Sequence, residues 1–166
     1  MDIERKIRLW LLLFMAGLLL SGLTAFPLEW ETRLLDRWAH DPGVGIAGRF
    51  PELAAWLARV HEGLRETYAR YPFVAYGTDW LAFAHLVIAV AFLGPLRDPV
   101  RNVWVVEFGM IACALVIPLA LIAGPLRGIP WFWRVIDCWF GLLGLVPLVL
   151  AYRLIRRLPA TPSTQA

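Results

Sequence analysis

Five ionisable side chains stand in or beside long apolar blocks of the sequence: His85, Asp79, Glu107, Asp137 and Arg134. An ionisable group inside a membrane span is costly, so each is a candidate for proton relay, ligand binding or ion passage. If a helix begins at Thr78, the stretch TDWLAFAHLVIAV (78–90) puts His85 roughly 10 Å below the outer membrane boundary. His85 could instead have a structural role, as a neutral imidazole hydrogen-bonded to a neighbouring helix. The sequence leaves the functional and the structural interpretation of His85 open.

The three acids are expected near helix N-termini, where the helix dipole favours negative charge. Thr78 is the expected N-cap before Asp79. Asp137 is expected in the first turn of its helix, three residues after Arg134 and within reach of an ion pair. Glu107 is expected about one turn into its own span. Capping and solvation at the membrane interface would account for all three acids without any catalysis.

No spacing of these residues predicts a cofactor site. Haem bound to His85 would need a second ligand from elsewhere, since His40 and His61 lie outside the apolar blocks, and no Cys/His spacing matches a metal site. A quinone needs less, because one imidazole and aromatic rings such as Trp80 and Phe83 could bind it. The sequence also lacks a glycine-rich phosphate loop after a strand, a nucleophilic serine elbow and an HExxH motif. We therefore predict no cofactor and keep haem or quinone as the alternative.

The composition assigns the chain to the membrane. Hydrophobic residues make up 60% of its 166 residues, against about 45–50% in soluble domains, and they are concentrated in blocks. The net charge is only +3, and the arginines are scattered or stand beside the apolar blocks rather than forming a basic stripe. The sequence therefore predicts a lipid bilayer as its surroundings and no nucleic-acid partner.

Four apolar blocks predict four transmembrane helices, at 9–26, 78–94, 103–124 and 135–152. Of the basic residues close to span ends, eight lie in the N-terminal segment 1–8, the loop 95–102 and the tail 153–166, whereas the opposite loop 125–134 has only Arg127 and Arg134. By the positive-inside rule, both termini are expected in the cytoplasm of a multi-pass cell-membrane protein, which we place in a bacterial inner membrane. The first block could also be a cleaved signal peptide, but the bulky Leu23 at position −3 favours an uncleaved anchor.

The segment 27–77, between the first two spans, is expected outside the membrane and predicts two amphipathic helices. The shorter, LEWETRLLDRW, has Trp30, Leu34, Leu35 and Trp38 on one side. The longer, PELAAWLARVHEGLRETYARY (51–71), which we call α4, has Pro51 in its first turn, and its apolar residues recur at steps of three and four. We name these residues the α4 stripe: Leu53, Trp56, Leu57, Val60, Leu64, Tyr68 and Tyr71. Two helices are too few to bury their own apolar faces, so these faces are expected to rest on the outer membrane surface or on protein. The balanced charge of the longer helix favours docking of the α4 stripe on protein, either its own spans or a partner.

The sequence thus predicts an all-α, polytopic integral membrane protein with four transmembrane helices and an external amphipathic helical hairpin between spans one and two. The leading functional expectation is a small non-enzymatic component for accessory, assembly or signalling roles, which acts by homo-oligomerisation or by binding another membrane protein. One alternative is a redox, quinone-linked or haem-linked protein, or a membrane enzyme, centred on His85. Another is a small multimeric transporter or channel, since GPLRDP (94–99) and GPLRGIP (124–130) could mark an inverted repeat.

Overall fold

The computed structural model describes residues 2–159, and within that range all regular structure is helical. This confirms the predicted all-α class. The helices are α1 (Ile3–Ala25), α2 (Leu28–His40), α3 (Ile46–Arg49), α4 (Pro51–Arg70), α5 (Ala75–Ala91), α6 (Leu93–Arg97), α7 (Val103–Leu126) and α8 (Trp131–Ile155), with a 3₁₀ turn at Pro72–Val74.

Four helical segments are long and apolar enough to cross a membrane: α1, Pro72–Arg97, α7 and α8. Only 22% of the most apolar window of each segment is buried inside the protein. The outward surface is therefore largely apolar, which suits lipid and would be a liability in water. A helix also bonds its own backbone polar groups, as a span in hydrocarbon must. These segments bear out the prediction of a multi-pass membrane protein.

Two helices begin earlier than the apolar blocks indicated. α5 begins at Ala75, so Thr78 is not its N-cap: the Thr78 hydroxyl donates to the Ala75 carbonyl, 2.7 Å away, inside the helix. α8 begins at Trp131, immediately after Pro130, whose extended conformation (φ −62°, ψ 152°) precedes the first turn. Asp79 and Asp137 therefore lie in the second turn of their helices, not the first. Hydropathy marks the part of a helix in hydrocarbon, whereas the helices themselves extend into the interface.

The chain divides into two compact units, which we call the hairpin unit (Leu19–Val87) and the α7–α8 unit (the residues up to Leu18 and from Ile88). The α7–α8 unit is built on a buried apolar core. Its rings Phe14 and Phe92 pack with centroids 4.7 Å apart. The remaining buried members are Ile7, Leu11, Met15, Val105, Val106, Leu148, Ala151 and Ile155.

Glycines permit close approach of helices in the α7–α8 unit. A Cβ on Gly141 would lie 2.5 Å from the carbonyl oxygen of Cys113, and one on Gly109 would lie 2.7 Å from the Phe92 ring. A third close contact is at Gly124, where a Cβ would lie 2.5 Å from Cδ of Arg134. Beyond it Gly128, with φ +70°, turns the chain out of α7 towards α8.

In the hairpin unit, α2 packs against α4. The buried residues are Thr32 and Ala39 on α2 and Ala54 and Leu57 on α4. Pro51 is in the first turn of α4, as predicted. Glu62 and Arg65 pair on the surface of α4, with Arg65 donating to the Glu62 carboxylate at 2.7 Å. That hydrogen bond holds the pKa of the exposed Glu62 carboxyl below its usual value.

Gly141→Ala is expected to lower the free energy of unfolding by about 1–3 kcal/mol, because the new methyl group would meet a backbone carbonyl of α7. Gly17→Ala is the matched control, since nothing among the described residues lies within 4 Å of where its Cβ would be. This control should be neutral or gain up to about 1 kcal/mol from helix propensity. Unfolding of both variants in one detergent measures the difference. If Gly141→Ala were as stable as the wild type, the tight contact would be contradicted.

Candidate functional site

His85 lies where α5 meets the end of α1 in the hairpin unit. Its ring atom Nδ1 is 2.8 Å from the Leu81 carbonyl oxygen, one turn earlier in the same helix. A Cβ on Gly22 of α1 would lie 2.9 Å from the Ala82 carbonyl oxygen and 3.1 Å from the His85 Cβ. The imidazole is therefore bonded within its own helix, not to a neighbouring one as its packing interpretation assumed. Ala82, whose carbonyl faces Gly22, is fully buried.

The aromatic rings of α5 do not surround His85. Trp80 and Phe83 pack edge to face with their centroids 6.0 Å apart, and Tyr76 adds a third ring 5.9 Å from Trp80. All three are exposed. At 100° per residue, Trp80 and Phe83 lie roughly 140° and 160° around the helix from His85. The quinone arrangement considered from the sequence, with these two rings beside the imidazole, is not formed.

Thr78 joins the end of α4 to the beginning of α5. Its hydroxyl lies 3.2 Å from the Tyr68 hydroxyl, a part-buried contact that fixes the last turn of α4. Asp79 follows on the same helix and is half-buried. It stands roughly 120° around α5 from His85 and about 9 Å along the axis. The two ionisable groups of α5 therefore point in different directions.

Glu107 and Asp137 lie towards opposite ends of the α7–α8 pair. The helices are antiparallel, since Gly109 faces Leu148 and Gly124 faces Arg134. In this register Glu107 is opposite a position near residue 150, which places Asp137 about 20 Å away along the axis. Paired carboxylate chemistry is excluded at that separation.

Arg134 packs along α7 instead of pairing with Asp137. Its methylene stem lies over Gly124, where a Cβ would be 2.8 Å from its Cγ. Its buried Nε has no hydrogen-bond partner among residues 2–159, and no ion pair joins it to Asp137 in that range. The methylene groups of Arg134 cover the α7 backbone at Gly124, and the residue as a whole is half-buried.

The structure therefore brings none of the five candidates together within either unit. In the part of the chain that it describes, no three His, Cys, Asp or Glu side chains gather as metal ligands would. Sequence reasoning missed the glycine contacts at Gly22, Gly109 and Gly141. The spacing of small residues within the apolar blocks carries that signal, since such residues let membrane helices approach closely.

The apolar side of the shorter amphipathic helix, α2, is exposed, although the sequence analysis assigned docking to the α4 stripe. Trp30, Leu34 and Trp38 form a ridge at steps of four residues and are 53%, 41% and 52% exposed. We call these three residues the α2 ridge. Thr32 and Ala39, which are buried, lie roughly 140–160° around the helix from Leu34.

The α4 stripe, by contrast, is largely covered. Leu57 is buried and Tyr71 is exposed. The other five members are half-buried: Leu53, Trp56, Val60, Leu64 and Tyr68. The apolar side of α4 thus offers less open surface than the α2 ridge.

The helical fold and its four long apolar segments define the chain as a multi-pass, all-helical membrane protein. No family model, curated protein or solved structure matches it. Its function must therefore be argued from its own surfaces.

Gly22→Ala is expected to cost about 1–3 kcal/mol of stability, because the added methyl would meet the Ala82 carbonyl oxygen. His85→Ala keeps the Cβ that faces Gly22 and should cost less. Gly77→Ala, whose Cβ would meet nothing within 4 Å among the described residues, is the neutral control. Thermal unfolding in detergent ranks the three variants. A loss from His85→Ala as large as that from Gly22→Ala would show that the imidazole itself holds the contact.

Proposed function

We propose that this chain is a non-enzymatic, multi-pass membrane protein that acts by binding another membrane protein through the α2 ridge. The observation that carries the proposal is the exposure of two tryptophans and a leucine in one row, on a helix whose opposite face is buried. Tryptophan dominates the energetics of many protein interfaces, because its large ring is desolvated in a pocket on the partner. A row at steps of four residues is the pattern of a helix that binds in a groove.

The charge of α2 favours a protein over lipid as the occupant. Acidic residues Glu29, Glu31 and Asp36 outnumber the basic residues Arg33 and Arg37. Helices that lie on a membrane surface are typically rich in Lys and Arg on their polar face. An excess of acids would be repelled by anionic headgroups, whereas a protein groove can match it.

The chain also restricts where the partner can be. Only Phe26 and Pro27 separate α1 from α2, and two residues reach at most about 7 Å. α2 therefore begins close to the end of a segment that can span the membrane. A partner that reaches this ridge must present its groove at the membrane surface, which favours another membrane protein.

We further propose that this contact forms outside a bacterial cytoplasmic membrane, with both termini inside. The support is the set of basic residues close to the span ends, of which eight lie in 1–8, 95–102 and 153–166 against two in the loop 125–134; six further arginines are spread along the segment 27–77. In that orientation α2 and α4 form the external hairpin. Accessory, assembly or signalling components act in this way, by presenting a binding face beside their spans.

A photocrosslinking residue in place of Leu34 is expected to yield one discrete protein adduct in native membranes. Trp30→Glu with Trp38→Glu should reduce that adduct more than about tenfold, because tryptophan is enriched among the interface hot spots, each of which costs at least about 2 kcal/mol when truncated. The same crosslinker at the exposed Gly63 of α4 is the position control, and Arg59→Glu is the charge control. An adduct at twice the mass of the chain would redirect the proposal to self-association. Lipid adducts alone would contradict it.

The purified protein is expected to be colourless and free of stoichiometric quinone, because His85 is bonded within α5 and its neighbouring rings point elsewhere. Visible spectra of oxidised and reduced samples, with lipid extraction, measure both properties. A Soret band, or bound quinone that His85→Ala removes, would overturn the proposal in favour of the redox alternative.

A further inference from the structure

We propose that a cavity in the α7–α8 unit binds the phosphate of an anionic phospholipid headgroup through Arg8 and Arg97. The cavity has a volume of about 310 Å³ and lies where the beginning of α1, the turn between α6 and α7, and the chain beyond α8 meet. Glu4 and Asp98 also line it, as do the apolar side chains of Val100 and Leu158. The volume is within the range of sites that hold small ligands.

The turn that shapes the cavity is fixed by its own hydrogen bonds. The Asn102 side-chain amide donates to the Gly94 carbonyl at 3.2 Å and to the Asp98 carbonyl at 2.9 Å. Asp98 accepts the backbone N–H of Arg101 at 3.0 Å through Oδ1. One carboxylate oxygen of Asp98 is thus already bonded, and the turn holds Arg97 at the edge of the cavity.

Both arginines are free to bind an anion. Within residues 2–159 the ion pairs join Asp36 to His40 and Glu62 to Arg65, all in the hairpin unit. Neither Arg8 nor Arg97 is within 4 Å of a carboxylate oxygen in that range. A guanidinium offers two parallel N–H donors that match the geometry of two phosphate oxygens.

Two arginines and the carboxylates of Glu4 and Asp98 line the cavity and balance one another in charge, so the preference for an anion rests on the charge of the surrounding chain segments. The three chain segments that meet there, 2–8, 97–102 and 153–159, contain eight basic side chains and three carboxylates. A basic pocket between membrane helices is a recognised setting for lipid headgroups. Glu4 opposes the phosphate, so its charge should weaken binding.

The apolar part of the cavity favours a lipid over a free anion as the source of the phosphate. Val100 and Leu158 pack against the buried core of the unit, as do Trp10 and Tyr152. Tryptophan and tyrosine are enriched at the depth where headgroups lie. A phosphate with its chain attached would satisfy both the arginines and these apolar walls.

The test is lipid titration of the delipidated full-length protein in a non-ionic detergent, followed by native mass spectrometry. Phosphatidylglycerol is expected to bind at one site more tightly than phosphatidylcholine with the same acyl chains. Arg8→Gln with Arg97→Gln should raise the Kd at least about tenfold. Arg153→Gln with Arg156→Gln removes the same two charges at the same end of the unit but outside the cavity; this charge control should change the Kd little.

Glu4→Gln is an independent test, because it removes a charge that repels the phosphate and should therefore lower the Kd. Tighter binding, unlike weaker binding, cannot result from a variant that fails to fold. Equal Kd values for the double-arginine variant and the Arg153→Gln, Arg156→Gln control, which removes the same two charges, would overturn the proposal, since binding would then follow net charge alone. If inorganic phosphate at millimolar concentration displaces the lipid, and this also depends on both arginines, the phosphate site stands and its source is a free anion.

Discussion

The packing of α7 against α8 depends on glycine at the positions where the two helices approach. A helix in hydrocarbon satisfies its own backbone polar groups and gains no hydrophobic energy by touching another apolar helix. Close van der Waals contact must therefore hold the pair, and the missing Cβ permits it. Gly141 admits the Cys113 carbonyl, and Gly109 makes room for the buried ring of Phe92. In the hairpin unit Gly22 has the same role between α1 and α5. These contacts fix which residues of the paired helices face one another.

That register separates the ionisable groups of the spans. With Gly124 against the stem of Arg134, the two acids of the α7–α8 pair are held towards opposite ends. Side-chain hydrogen bonds with clear structural roles occur where helices end or join, as in the Asn102 bonds that close the α6–α7 turn and the contact between Tyr68 and Thr78. A buried catalytic centre needs several groups within hydrogen-bond reach of one reacting atom. The described parts of the spans bring no such cluster together within either unit.

The sequence predicted the helical class and the four spans because long apolar runs have few alternatives in a membrane. It also predicted α4, since Pro51 and the three- and four-residue steps are strong local signals. The prediction started α5 at Thr78 and put Asp137 in the first turn of α8, whereas both helices begin earlier, at Ala75 and Trp131. Hydropathy indicates which residues suit the hydrocarbon of the membrane, not where a helix begins. The sequence could not tell which apolar face stays open. Periodicity gives α2 and α4 one apolar side each, and only their packing leaves the α2 ridge more exposed than the α4 stripe.

The small size of the α2 ridge is consistent with a partner in the same membrane. Stable complexes in solution usually bury about 800 Å² on each partner, with some 20–30 residues a side, and three side chains in a row fall short of that. Two proteins in the same bilayer need a smaller interface than two proteins in solution. A partner anchored in the same bilayer approaches at a raised effective concentration, as tethered modules do, so fewer contacts suffice for occupancy. Because Phe26 and Pro27 tie α2 closely to α1, the ridge loses little orientational freedom on binding, and a short helix can serve as the recognition element.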